Sequence, residues 1–227
     1  PTNLRIYDDF TILGGTFTHS SGTVYFYSYD VGYCITTNNA IFWNVVFTNS
    51  GSPTHDKYLY LRDSFTVSND LTFERPTNNY LRVVDDVTSG SATITVNGNL
   101  IISNTRSDYY VAIGSSDASQ RFTIDLKGNF TMSSVSAGTC YFQADLNFIG
   151  TGDQTITHNS GTINYGAWSV AKQTGIVTMA TNLSLPSTLY IASGTLFVNG
   201  KTLSVSGTFS NDGTLRLINT ETLSFTK

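Results

Sequence analysis

Few side chains in this sequence can do chemistry, and their spacing decides what they can do. Two pairs of adjacent carboxylates occur, Asp8-Asp9 and Asp85-Asp86. Hydrolysis of a sugar chain needs two carboxyl groups facing each other across the substrate. Neighbouring residues on a strand point to opposite faces, so neither pair supplies this alone. The three histidines, His19, His55 and His158, lack a second His or Cys at metal-ligand spacing. A Ser-His-Asp set can be drawn from any Ser-rich chain and carries no weight. The calcium nonapeptide of β-roll proteins and the EF-hand loop are both missing. Ser210-Asn211-Asp212-Gly213-Thr214 reads as a tight turn. The expectation is a protein that is not an enzyme and has no catalytic residue, metal site or cofactor.

The tyrosines say more. In Val24-Tyr25-Phe26-Tyr27-Ser28-Tyr29, alternation aims Val24 and Phe26 inward and Tyr25, Tyr27 and Tyr29 outward. Tyr58 and Tyr60 stand outward in the same way beside Leu59 and Leu61. An outward aromatic stripe is a β-surface ladder, a protein interface or a sugar platform.

Composition narrows the partners. Among 227 residues, 40% are hydrophobic and 12% charged, with a formal net charge of −4. That charged fraction is about half the usual level, so Ser, Thr, Asn, Gly and Tyr must cover the surface, as is common in secreted and cell-surface proteins. The 12 basic residues are scattered, which argues against nucleic acid and anionic membranes. No apolar run reaches the roughly 18 residues of a membrane span. Pro1 is not an initiator residue, which favours processing or excision from a longer precursor. Cys34 and Cys140 are expected to sit several rungs apart as unbridged thiols.

These residues must be positioned by short strands. Val, Ile, Thr, Phe and Tyr alternate with polar residues, and Gly, Asn, Asp and Ser interrupt the runs every few positions. Thr93–Ser103 lines up with Thr123–Ser133, with five of eleven positions identical. Counting each unit from zero, apolar residues fall at +1, +3, +7 and +9. The pattern recurs from Asn3 (Leu4, Ile6, Phe10, Ile12) and from Tyr58 (Leu59, Leu61, Phe65, Val67). It returns from Thr139, Ile176 and, more weakly, Thr202. Position +5 holds Asp8, Asp63, Gly98, Gly128, Ala144, Thr181 and Gly207, small or turn-forming residues that suit a corner. Two strands meeting at a corner and repeated describe a single-stranded parallel β-helix of roughly 30 residues per rung, an all-β solenoid spanning 1–227. A β-sandwich is the alternative. The copies are unevenly spaced, so loops must vary; Asn49–Lys57, Glu74–Asn79 and Gly114–Gln120 are the expected excursions.

Ser193–Phe209, Gly15–Phe26, Gly152–Ile156 and Ile41–Phe47 resemble the repeats of large bacterial and archaeal surface and secreted β-helix proteins. The resemblance implies an extracellular, right-handed solenoid of adhesin or filament type, and implies no chemistry. The Gly-His-Gly and Arg-x-Lys motifs of pectin-degrading solenoids are missing. Thr16-Phe17-Thr18, Thr93-Ile94-Thr95 and Thr155-Ile156-Thr157 fit an ice-matching ladder locally, but they are not expected to recur in one register. Asn129-Phe130-Thr131 and Asn182-Leu183-Ser184 are glycosylation-type sequons that overlap the repeat. A solenoid leaves an open β-edge at each end. Leu4 and Ile6 at one end, and Leu223 and Phe225 at the other, are therefore expected contact residues, with Tyr25, Tyr27 and Tyr29. The chain would be either a slice of a longer solenoid or a subunit whose partners are copies stacked head to tail, with glycans as a second possibility.

Overall fold

A computed structural model describes residues 3–28, 32–50, 58–76, 80–86, 91–106, 110–135 and 140–226. Pro1, Tyr29, His55, Asp56, Thr139, Lys227 and most of the Asn49–Lys57 excursion lie outside the described residues. Nearly every alternating run forms a strand of two to six residues, cut short by the Gly, Asn and Asp that follow it. Strands this short bury one face and cannot stand alone, so each pairs in parallel with its equivalents one coil away. The protein is a parallel β-solenoid.

Each coil has three faces. The first is built from Asn3–Ile6, Thr23–Ser28, Asn44–Asn49, Leu71–Arg75, Leu100–Asn104, Phe130–Ser134 and Gln154–His158. The second begins with Phe10–Thr11 and Tyr33–Thr36 and runs through Tyr58–Leu61, Leu81–Asp85, Val111–Gly114, Cys140–Gln143 and Thr162–Ile163. The third includes Phe65–Val67, Thr93–Val96, Thr123–Leu126 and Asp145–Phe148. Two longer strands, Trp168–Met179 and Leu189–Phe197, carry the chain from the third face to the first without a break. In the last coils, the second-face place is taken by a separate sheet of Leu183–Leu185, Thr202–Val205 and Thr222–Phe225.

Coil size varies along the axis. In the middle, one coil runs from Leu100 to its partner Phe130. The first coil, from Leu4 to its partner Val24, is markedly shorter. So are the last ones, which run from Val177 to Leu196 and from Leu196 to Leu215. The expected rung of roughly 30 residues therefore holds only for the middle of the solenoid.

The +1, +3, +7, +9 pattern proves to mark corners rather than whole rungs. The copies at Asn3 and Ile176 turn from the first face to the second, and those at Tyr58 and Thr202 from the second to the third. Those at Thr93 and Thr123 turn from the third face to the first. One pattern serves three corners, which is why its spacing is uneven. Its apolar positions form the core: Leu59, Leu61, Phe65 and Val67 are at most 3% exposed. Phe26, Phe47 and Phe73 stack coil on coil, with ring centroids 5.5 and 5.1 Å apart.

The third-to-first corner is held by side chains that accept backbone N–H groups from the next coil. Asn44 Oδ1 accepts from Asp70 N at 3.1 Å, and Asp70 Oδ1 from Asn99 N at 2.8 Å. Asn99 Oδ1 accepts from Asn129 N at 3.0 Å, and Asn129 Oδ1 from Thr155 N at 2.8 Å. Turn amides that no sheet partner reaches are satisfied this way. Gly98 and Gly128 are required by the close approach of neighbouring coils. A Cβ on Gly98 would lie 2.5 Å from Asn69 O, and one on Gly128 only 2.2 Å from Gly98 O. Two expected excursions are adjusted: Glu74 and Arg75 still belong to a strand, and the Gly114–Gln120 loop contains a 3-10 turn at Ala118–Gln120.

Candidate functional site

The paired acids are engaged in holding the coil. Asp8 Oδ1 accepts from Asp9 N at 2.8 Å, and Asp9 Oδ1 from Cys34 N at 2.7 Å. Asp85 is buried and accepts from Ala92 N at 2.7 Å, while Asp86 forms an exposed ion pair with Arg62 at 3.1 Å. Asp63 at its corner accepts from Thr37 N, Thr37 Oγ1 and Asn38 N. Hydrogen bonds of this kind link coils 22 to 29 residues apart in sequence. They are invisible to a reading that looks for acids close together in sequence. Among the described residues, no three His, Cys, Asp or Glu side chains gather as a metal centre would require.

The two described histidines stay apart. His19 donates its backbone N–H to Ile41 O, and His158 sits half-buried with Nε2 3.3 Å from Gly161 O. Burial holds the His158 imidazole below its ordinary pKa, and the Gly161 carbonyl opposes this. Cys34 and Cys140 are free thiols, four coil steps apart on the second face, or about 19 Å at ~4.8 Å per step. Burial pushes the Cys140 thiol up to about 12. Lys172 went unnoticed in the sequence. It is buried at the bend inside Trp168–Met179, and Nζ donates to Gly150 O, Gly152 O and Gln154 Oε1 at 2.6, 2.8 and 2.6 Å. Desolvation lowers its pKa, with Asp153 acting in the opposite sense.

Tyr25 and Tyr27 point outward beside buried Val24 and Phe26, as alternation requires. Tyr27 stacks on Tyr7 at 4.4 Å and on Tyr25 at 6.1 Å, making a short ladder on the first face. Threonines do stand in register in places, as Thr66 on Thr95, Thr93 on Thr123 and Thr131 on Thr157. Each run soon breaks: Thr95 meets Asp125, Thr123 meets Asp145 and Thr131 meets Ile101. The side chains of sequons Asn129 and Asn182 are engaged across coils, Asn182 Oδ1 accepting from Thr202 N at 2.9 Å.

At the ends, Leu4 and Ile6 are half-buried on Asn3–Ile6, and Leu223 is half-buried on Thr222–Phe225. Phe225 is 42% exposed and stacks on Phe209 at 4.3 Å. Both rings, with Gly207 and Thr208, line an open pocket of about 340 Å³. The outer edges of Asn3–Ile6 and Thr222–Phe225 pair with no strand among the described residues.

A second concavity lies on the flank. On the outer side of the second face, Tyr58, Arg82, Ala112 and Tyr141 stand in register on successive coils. The small Ala112 between two long neighbours leaves a hollow of about 280 Å³. Tyr110, Gln143, Asn164 and Tyr165 line it further. Tyr80, Tyr110 and Tyr141 follow one another at centroid distances of 4.6 and 5.8 Å. The Arg82 guanidinium lies 4.8 Å from the Tyr58 ring centre and 5.6 Å from that of Tyr110. Tyr165 has φ +60 and is 50% exposed. Gly166 N donates to Asn164 O at 2.6 Å across it, so Tyr165 tops a strained γ-turn. Arg121 Nη1 braces that turn by donating to Tyr165 O at 2.5 Å. Sequence reasoning named only Tyr58 of this row. The rest come from separate coils, each a full coil length from the next in sequence, a separation no local motif reports.

Fold and surface together define the class as a parallel β-solenoid with an aromatic flank. Compared with protein-family models, with curated proteins and with solved structures, the chain matches none.

Proposed function

We infer that this chain is a structural element of the extracellular or cell-surface type, whose end coils stack on further copies head to tail. One observation carries the reading: the first and last coils are alike in length. The first coil, Leu4 to Val24, and the last, Leu196 to Leu215, are nearly equal in length, and both are shorter than the middle coil from Leu100 to Phe130. Coils of like length are what continuous stacking from one copy to the next requires. Each end also leaves an apolar row half-buried, Leu4, Ile6, Phe10 and Ile12 at one end and Phe209, Leu215 and Leu223 at the other. Parallel pairing of Thr214–Arg216 with Asn3–Ile6 of the next copy would continue the first face, aligning one row on the other. A heterologous contact of this kind does not close, so it makes filaments. The low charged fraction and the Ser-, Thr- and Asn-rich surface support an extracellular setting.

Sedimentation velocity over a concentration series, followed by negative-stain imaging, tests this. The expected result is concentration-dependent association into rods. Phe225→Asp, at an exposed position that leaves the inner core untouched, is expected to keep the chain monomeric. A chain that stays monomeric at every concentration, or rods that persist in Phe225→Asp and Leu4→Asp alike, would overturn the reading.

A further inference from the structure

The hollow on the second face has the chemistry of a ligand groove, and it lies away from the end coils. Its floor is Ala112, and its walls are the rings of Tyr110, Tyr141 and Tyr165. Among the described residues, the carboxamides of Gln143 and Asn164 have no hydrogen-bond partner although both line the groove, and no acidic side chain lines it. Ring faces beside paired donors and acceptors suit a ligand that is apolar on its C–H faces and rich in hydroxyls around its rim. We propose that this groove binds an extended saccharide chain lying along the solenoid axis. The sugar rings pack on Tyr110, Tyr141 and Tyr165, and vicinal hydroxyls pair with Gln143 and Asn164.

Several features favour a saccharide over other chains. Each carboxamide offers a donor and an acceptor side by side, which neighbouring hydroxyls match. A polyproline-type peptide docks on aromatic rings too, but it supplies carbonyl acceptors and few donors. A nucleic acid strand needs a basic track for its phosphates, and among the described residues Arg82 is the one cation in the lining. The aromatic rings come from successive coils, with Tyr110 and Tyr141 edge to face at 78°, so the row of rings that lines the groove runs along the solenoid axis. The strained turn under Tyr165 is costly to hold on a surface that does nothing, and Arg121 fixes it in place.

The test is a calorimetric titration of the full chain with neutral gluco-, xylo- and manno-oligosaccharides and, in a separate arm, oligogalacturonates. A proline-rich peptide and a single-stranded oligonucleotide serve as counter-probes. The expected result is binding of at least one saccharide class, with the arms showing whether Arg82 selects uronates over neutral sugars. Tyr165→Ala is expected to weaken it roughly tenfold or more, and Gln143→Ala with Asn164→Ala to do likewise. Ala112→Leu, which fills the floor, is expected to abolish it. Tyr25→Ala, on another face, is expected to change nothing, and thermal unfolding checks that each variant is folded. Saccharide binding that survives Tyr165→Ala and Ala112→Leu overturns the proposal, as does binding of a counter-probe alone or of no probe at millimolar concentration.

Discussion

Gly128→Ala is the sharpest probe of the corner geometry. The added Cβ would lie 2.2 Å from Gly98 O, 2.4 Å from Gly98 C and 3.0 Å from Asn99 N. All three are backbone atoms of the preceding coil, so no flexible side chain can move aside. Relief requires the two coils to part by about 1 Å at this corner to regain ordinary van der Waals contact. That strains Leu100 N to Asn129 O at 2.9 Å and Asn129 N to Asn99 Oδ1 at 3.0 Å. Overpacking of this kind costs about 1–3 kcal/mol, and weakening two such bonds adds about 1–2 kcal/mol. The lower entropy of the unfolded alanine chain returns about 0.4–1 kcal/mol. A net loss of about 1–5 kcal/mol follows, or a Tm lower by roughly 2–20 °C for a chain of this size. Gly152→Ala is the matched control, because a Cβ there meets nothing within 4 Å. It is expected to be neutral or to stabilise by up to about 1 kcal/mol. Urea titration followed by circular dichroism measures both, and hydrogen exchange locates the loosened coils if unfolding is not two-state. A Gly128→Ala protein within about 0.5 kcal/mol of wild type would refute the claim that coil spacing, rather than turn conformation, demands glycine here.

Three further outcomes are expected. Cys34 is half-buried and should react with a thiol reagent in the native state, whereas Cys140 should remain unmodified until denaturant is added. Equal native labelling of both would contradict the burial. His158 has a folded pKa below its unfolded value, so the unfolded state binds more protons. Its contribution is present above the unfolded pKa of about 6.5 and is lost as pH falls through the folded value. His158→Gln should therefore flatten the fall in stability below about pH 6.5 relative to wild type, measured by urea midpoints. Lys172→Met leaves three carbonyl oxygens without their donor, two of them on buried residues. It should cost on the order of 3 kcal/mol, and a loss under about 1 kcal/mol would show that water replaces the ammonium.

The fold was legible because its signal is local. Alternation within four to six residues tells which side chains point inward, and Val24, Phe26, Leu59 and Leu61 are buried accordingly. Small residues at the corner position likewise betray a bend at Gly98 and Gly128. Coil closure was not legible, since one corner pattern serves three corners and nothing in it says which. The candidate groove was hidden for a related reason. Arg82, Ala112 and Tyr141 meet only because successive coils stack in one register, and that register depends on loop lengths that vary from coil to coil. A hollow also leaves little trace in a sequence. What makes the groove is the small size of Ala112, and a lone alanine in a strand attracts no notice. The same applies to Lys172, whose three acceptors come from a bend 18 to 22 residues earlier.

The two proposals use different parts of the coil, and this makes their combination testable. End-to-end association would use backbone edges that face along the axis, while the groove uses outward side chains on one flank. Stacking copies would therefore leave every groove open and set them in a row parallel to the axis. A single shallow groove with three rings and two carboxamides should bind a short sugar weakly. A row of them should hold a long chain far more tightly, on the order of 10²-fold or more, once one polymer spans several grooves. The comparison is between assembled wild type and a Phe225→Asp monomer, titrated first with a short oligosaccharide and then with its long polymer. Both proteins should bind the short ligand equally, because the groove is unaltered. Only the assembled protein should gain on the polymer. Equal affinity for the polymer would mean that the grooves are not aligned along one axis, even if each binds sugar. A difference already present with the short ligand would mean that association reshapes the flank.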